Sequence, residues 1–309
     1  MDGTGATDPR DRSGAPSDPG DAGVTGPADR RGSAGATSDP SDVDVTGPAD
    51  RRGSAGATSD RREVGAPEEP RGPAESVAFV DLHCHTNASF DSLSDPVKVM
   101  RAALRRGITH LAITDHDRID GALRARDGAP DGLVIIVGEE VKTAAGDLIC
   151  LFLNRPVPPG LSPAETIALV REQGGLVGIP HPFDRHRNSM ASAESEFEAL
   201  AGLVDWVETY NARVVFGDGN ERAQAFALRT GLPGVAVSDA HSILEVGVAS
   251  TRLVGDPSTP PGLVQALATA QVQPGHATYL ARGITPFAKL LQRARGNGRV
   301  RRAPTRDVP

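Results

Sequence analysis

From Val77 onward the chain is a succession of short apolar runs separated by segments with helical spacing. The runs are VAFVDLH (77–83), HLAITDH (110–116), LVIIVGEEV (133–141), DLICLFLN (147–154), LVGIPHP (176–182), VDWVETYN (204–211), GVAVSDAH (234–241), GVASTRLV (247–254) and HATYLA (276–281). Each is rich in apolar and β-branched residues and bounded by turn formers, which predicts strands. Three intervening helices have readable ends. SDPVKVMRAALRRG (94–107) offers Ser94 or Asp95 as N-cap, Pro96 in the first turn and Gly107 at the close. SPAETIALVREQGG (162–175) carries a capping box, Ser162 with Glu165. GNERAQAFALRTG (219–231) ends at Gly231. Strands alternating with helices imply an α/β fold with parallel pairing, closed as a TIM-like barrel or opened as a doubly wound sheet.

The polar residues decide between these two. Almost every predicted strand ends in His, Asp or Glu: His83 and His85, His116, Glu139 and Glu140, His181, Glu208, and Asp239 and His241. In a (β/α) barrel the C-terminal strand ends meet at one mouth, whereas in an open sheet they spread along an edge. A barrel is therefore expected. Strand alternation places His83 and His85 on one face, where two imidazoles can share an ion. Alone, an HxH pair is a weak signal, read first as surface or hydrogen-bonded histidine. The wider pattern favours metal, because five of the eight histidines (83, 85, 116, 181, 241) fall at strand ends and only His110, His186 and His276 do not. With Asp91, Glu140 and Asp239 they exceed the four ligands of a structural zinc site. Mixed imidazole and carboxylate suits Zn²⁺, Mn²⁺ or Fe²⁺. Two or three ions with a bridging carboxylate form the arrangement that hydrolyses phosphate esters.

The segment before Val77 is of another kind. Residues 18–39 and 39–60 are a near-perfect duplication with a period of 21, dominated by Gly, Pro, Asp, Ser and Arg. Such units offer no apolar surface to stack, so residues 1–75 are expected to be a disordered extension. Residues 76–283 are expected to form the catalytic barrel, and 284–309 a C-terminal helix and basic disordered tail, with six arginines between Arg293 and Arg306. For that tail, solvation and a nucleic-acid contact are both open. The net charge of -7 argues against a dedicated nucleic-acid binder. Cys84 and Cys150 read as reduced, buried small hydrophobes. With no apolar run of membrane length and no signal-like N-terminus, a cytoplasmic protein is expected, with no membrane contact and no obligate protein partner.

DLHCHT (81–86), TDHD (114–117), GEE (138–140), PHPFD (180–184) and SDAH (238–241), in this order, resemble the motifs of the PHP (polymerase and histidinol phosphatase) superfamily of metal-dependent phosphoesterases. The segment from Trp206 to His241 resembles the C-terminal PHP-associated segment of its stand-alone members. The resemblance implies a distorted (β/α)₇ barrel with two or three divalent ions at the strand C-termini. It implies His83, His85, Glu140 and Asp239 as ligands of a first ion, with Glu140 bridging. Asp91, His116 and His241 match a second, and His181 a third. Where that third position often has a histidine, the nearest residue is Asp147.

Glu139, facing away from Glu140, is expected in a buried hydrogen-bonding role. Asp115 and Asp117 are expected to orient the His116 ring. For Glu208 and Asn211, structural hydrogen bonding and a substrate role are both open. Arg185, Arg187 and Lys142 are candidate cations for phosphate oxygens, with solvated loop charge as the alternative. The expected catalytic set is Asp91, His116 and Arg185. The expected activity is hydrolysis of a phosphate ester: a nucleotide, a short oligonucleotide 5′ end, or a metabolite monoester of the histidinol phosphate type. The chain lacks the long extensions of a polymerase, so a proofreading module is not expected. An inactive regulatory metal-binding domain and a C–N hydrolase with a carboxylated lysine are the competing classes.

Overall fold

The computed structural model describes residues 76–184 and 194–300. The expected extension over residues 1–75, with its duplication, lies outside the described residues, as do Arg185, His186, Arg187 and the tail beyond Val300. Helices begin where local capping chemistry satisfies their first amides. In α1 (Pro96–Arg105), Asp95 is the cap: its Oδ1 accepts from Val97 N at 3.0 Å and Lys98 N at 3.3 Å. In α3 (Pro163–Arg171), Ser162 and Glu165 make the expected capping box. Gly231 closes α5 (Gly219–Thr230) at φ 74°, a left-handed position that suits glycine.

The strands are β1 (Val77–Asp81), β2 (His110–Ile113), β3 (Val134–Lys142), β4 (Asp147–Leu151), β5 (Leu176–Ile179), β6 (Trp206–Asn211), β7 (Gly234–Val237), β8 (Ser250–Val254) and β9 (Gln271–Gln273). The remaining helices are α2 (Asp120–Asp127), α4 (Glu194–Ala201), α6 (Pro260–Leu267) and α7 (Tyr279–Ala294). The sheet runs β7-β6-β5-β4-β3-β2-β1-β8-β9. Pairs β1–β2, β2–β3, β5–β6 and β6–β7 are parallel.

The expected parallel pairing does not extend to β4, which is antiparallel to both β3 and β5, or to β8, which is antiparallel to β1 and β9. Only four residues separate Lys142 from Asp147, too few for a crossover helix, and Thr143 N donates to Gly146 O at 2.8 Å to make a hairpin. The expected strand at 276–281 is corrected too: Thr278 Oγ1 accepts from Ala281 N, and a helix starts at Tyr279. A short apolar run does not distinguish these two states by itself.

The two ends of the sheet meet. Cys84 and Ala240 form a parallel bridge, His85 N donates to Ala240 O at 2.9 Å, and Ser238 N donates to Asp81 Oδ1 at 3.0 Å. Below that junction β8 pairs antiparallel with β1, and Thr251 Oγ1 accepts from Ala236 N (2.8 Å) while lying 3.0 Å from Ala236 O. The result is a nearly closed barrel, as the strand-end pattern requires.

Alternate residues of one strand join different apolar layers. Leu111, Ile113, Ile135, Val137, Leu148 and Cys150 belong to one core cluster, and Ala112, Ile136, Ile149 and Leu151 to another. Both faces are covered, which explains the near-continuous apolar runs. Cys84 and Cys150 are buried free thiols, as expected. Gly178 admits close approach of Trp206, since a Cβ there would stand 2.1 Å from the indole.

The Thr251 hydroxyl links β7 to β8 without a regular ladder, so Thr251→Val leaves the buried Ala236 amide unpaired. Urea denaturation is expected to show a loss of about 1–3 kcal/mol, against no change if the seam were held by packing alone.

Candidate metal centre

Side chains at the ends of five strands, β1, β2, β3, β5 and β7, converge at the barrel mouth. His83 Nε2 stands 3.0 Å from His85 Nε2, 3.5 Å from Glu140 Oε2 and 3.7 Å from Asp239 Oδ1. His85 Nε2 is 3.4 Å from the same Glu140 oxygen and 3.7 Å from the same Asp239 oxygen. Ligand atoms about 2.0–2.1 Å from one ion in a tetrahedron stand about 3.3–3.4 Å apart. The ligand atoms of His83, His85 and Asp239 lie within 4.8 Å of one another, a Glu140 oxygen lies against both imidazole nitrogens, and all four residues are buried.

A second group adjoins it. Asp91 Oδ2 lies 3.2 Å from both His116 Nε2 and His241 Nε2. The His85 ring packs at 4.7 Å from His116 and 4.2 Å from His241. Suitable ligand atoms of His85, Asp91, His116 and His241 all lie within 4.8 Å of one another, and so do those of His83, His85 and Asp239. His85, expected in the first set, thus stands between the two. Glu140 is the other link. Its Oε2 is 2.9 Å from His116 Nδ1, and its Oε1 is 3.2 Å from His181 Nε2. Buried nitrogens His85 Nδ1 and His181 Nδ1 have no hydrogen-bond partner among the described residues. Packed lone pairs and carboxylates of this kind fit divalent cations.

Backbone conformation aims two of these groups. His181 (φ 27°) and Asp239 (φ 50°) hold positive φ without being glycine, a strained arrangement that neighbours must enforce. Glu208 supplies part of that enforcement: its Oε1 is 2.7 Å from His83 Nδ1, and its Oε2 accepts from His181 N (2.9 Å) and Asn211 Nδ2 (2.8 Å). Asn211 Nδ2 also donates to Asp239 Oδ2 at 3.0 Å.

Comparison with known proteins places this arrangement. The PHP-associated family model matches residues 217–272. An uncharacterized protein of Methanocaldococcus jannaschii is 35% identical over 143 residues, 43% of this chain and 81% of that protein. An error-prone DNA polymerase of Cutibacterium acnes is 39% identical over 77 residues, 24% of this chain and 7% of the polymerase. The fold is similar to that of a two-domain protein of Bacteroides vulgatus containing a predicted PHP-like metal-dependent phosphoesterase. That match has a TM-score of 0.55 at 18% identity over 65% of this chain and 66% of the other. The chain belongs to the PHP superfamily.

Within this PHP chain, several supporting roles differ from expectation. Neither Asp115 nor Asp117 hydrogen-bonds the His116 ring. Asp115 instead accepts from Thr86 N and Oγ1, both at 2.6 Å, and Asp117 accepts from Lys142 N at 2.8 Å and Arg299 Nε at 2.7 Å. The histidine-orienting carboxylate is Glu208, on His83. Glu208 and Asn211 near the end of a predicted strand are the available signal, but they do not say which ring the acid serves. Glu139 is buried and accepts from Val157 N at 2.9 Å, as expected. Lys142 is exposed, and its ammonium makes no polar contact among the described residues. Asp147 Oδ1 accepts from Arg299 Nη2 at 3.1 Å, so a residue expected in a solvated tail reaches the site instead.

The charges explain the protonation pattern of the protein groups alone. Burial would lower His83 and His116, but Glu208 and Glu140 beside His83, and Glu140 and Asp91 beside His116, push each up to about 10. Burial and the neighbouring imidazoles hold His85 well down, while burial and Arg213 bring His241 to about 3. Burial opposes ionisation of Asp91 and Glu140, yet the adjoining imidazoles hold both well below the usual carboxylate range.

Because His83 and His116 keep a proton through the neutral range in the ion-free site, an incoming ion displaces it. Metal affinity is therefore expected to rise with pH between about 6 and 8, with proton release seen as buffer-dependent heats in titration calorimetry; heats independent of buffer would contradict this. Glu208→Gln, which loosens the His83 ring, should weaken metal binding by about 10–100-fold, measured by competition with a chelating dye.

Proposed function

We propose that this protein hydrolyses phosphate esters with two or three bound divalent ions, Mn²⁺, Zn²⁺ or Fe²⁺. The observation that carries the reading is the buried cluster of His83, His85 and Asp239, whose ligand atoms lie within 4.8 Å of one another, with a Glu140 oxygen 3.5 and 3.4 Å from the two imidazole nitrogens. His83, His85, Glu140 and Asp239 would hold one ion; Asp91, His116 and His241 a second; and Glu140 would serve both. Bound divalent ions supply a nucleophilic hydroxide near neutral pH and positive charge for the attacking and leaving oxygens. The protein's own part is orientation. Glu208 fixes His83, Asn211 fixes Asp239, and Ser89 Oγ donates to Asp91 Oδ1 at 2.8 Å.

The substrate we favour is a small phosphomonoester, nucleotide or short oligonucleotide 5′ end. Local similarity to an error-prone DNA polymerase supports nucleic-acid chemistry, and the acidic chain supports a short substrate over a long duplex. Arg185 and Arg187, directly after the PHPFD motif, are further candidates for phosphate oxygens. An inactive regulatory domain would show missing ligands, whereas every residue carried over to the first two ion positions is present at the mouth. A C–N hydrolase bridged by carboxylated lysine finds no support, with Lys142 pointing to solvent. No described helix is long and apolar enough to cross a membrane.

The test is turnover by the Mn²⁺-loaded full chain of an aryl phosphate, a nucleoside 3′,5′-bisphosphate, 5′-phosphorylated oligonucleotides and histidinol phosphate. Phosphate release is expected from at least one. His83→Ala and Asp239→Ala should each lower kcat by at least about a hundredfold, the scale of a lost charge-stabilising group, and reduce bound metal. Loaded, folded protein that releases phosphate from none of these substrates refutes the reading.

A further inference from the structure

The last turn of α7 and the segment after it are built into the mouth of the barrel. Gln292 Nε2 donates to the carbonyls of Asn87 (2.9 Å), Ser89 (3.0 Å) and Ser92 (2.8 Å), gripping the loop that carries Asp91. Asn297 Nδ2 donates to Ala88 O at 3.1 Å, and Asn297 Oδ1 accepts from Arg118 Nη1 at 3.0 Å. These contacts deliver Arg299. Its Nε donates to Asp117 Oδ2 at 2.7 Å and its Nη2 to Asp147 Oδ1 at 3.1 Å. The guanidinium carbon sits 5.8 Å from the Phe90 ring centre, and that ring lies 4.9 Å from His116. The side chain is 21% exposed, and among the described residues Nη1 has no partner.

Asp147 is a buried carboxylate in the electrostatic field of Glu140, His116 and His181. A carboxylate so placed would otherwise attract a further cation. Here a guanidinium already meets it, clamped on two sides so that its fork is fixed before any ligand arrives. Fixed guanidinium forks with a free N–H match phosphate oxygens.

We propose that Arg299 is a built-in cation of this site, held by Asp117 and Asp147 so that Nη1 receives a non-bridging oxygen of the substrate phosphate. The phosphate itself is taken from the proposed function. Residues supplied by the far end of the chain thus complete a pocket whose metal ligands all precede Ser242.

The test is calorimetric binding of inorganic phosphate to the Mn²⁺-loaded full chain, with metal content by elemental analysis and folding by thermal melting. Arg299→Met is expected to weaken phosphate binding tenfold or more with metal content unchanged. Arg299→Lys, which keeps a cation between the two aspartates, should fall between Arg299→Met and the wild type. Equal phosphate affinity in Arg299→Lys and Arg299→Met, or in Arg299→Met and the wild type, overturns the proposal. So does a third ion in the wild type that is lost on Asp147→Asn. Arg299-dependent phosphate binding by a protein inactive on the whole substrate panel would support this assignment while sinking the hydrolase reading.

Discussion

Glu140 is a carboxylate buried at the centre of the barrel mouth, and burial of an ionised carboxylate is prohibitive unless positive charge surrounds it. Nitrogens of His83, His85, His116 and His181 lie between 2.9 and 3.5 Å from its oxygens, and the protonated rings of His83 and His116 supply the charge. Each imidazole comes from a different stretch of chain or a different register of one stretch. The demand for charge around this one group therefore ties together β1, β2, β3 and β5. Asp239 and Asp91 add further negative charge that protons on His83 and His116 offset in part. A divalent ion offsets it more fully, since one centre can face several ligands at once.

The barrel's irregularities serve that same centre. A fully parallel barrel would alternate every strand with a crossover helix, yet β3 and β4 are joined by a hairpin and β4 runs against both neighbours. That reversal puts Asp147 opposite Lys142 at the mouth end of β3, two residues beyond Glu140. At the other junction the first and seventh strands meet through Cys84 and Ala240, between the two histidines on one side and between Asp239 and His241 on the other. The seam of the barrel and the densest part of the charge cluster coincide. Any slip of register there would move His85 and His241 apart.

Much of this was legible in the sequence, because the information was local. His83 and His85 alternate around a buried cysteine, and strand-end acids and histidines need only barrel closure to meet. Helix starts at Asp95 and Ser162 follow from residues within one turn. An equally local signal, Thr259 before Pro260 and Pro261, marks α6, where Thr259 Oγ1 accepts from Gly262 N. By contrast α2 has no side-chain cap to announce it. The supporting contacts were not legible, because they are long-range choices among equivalent partners. Asp115 and Asp117 flank His116 in sequence, but neighbours along a strand point to opposite faces. The ring needing an acid was His83, and its partner Glu208 lies 125 positions away. Arg299 falls in the expected disordered tail because its own surroundings are polar and glycine-rich, while its partners sit 152 and 182 residues earlier.

Strain is concentrated where the charge is. Asp117, His181 and Asp239 all hold positive φ, a conformation that costs a non-glycine residue about 1 kcal/mol or more. Each is pinned by a contact made through this network: Asp117 by Arg299 and the Lys142 amide, His181 by Glu208 on its backbone, and Asp239 by Asn211. The same hydrogen bonds that aim ligands at a common point thus also retain backbone shapes the chain would otherwise abandon. A mouth held this way is preorganised before an ion arrives, so ordering the ligands adds little to the cost of binding. The strain is sustained by the apolar layers on both faces of the sheet, which fix the strand ends from which these residues project.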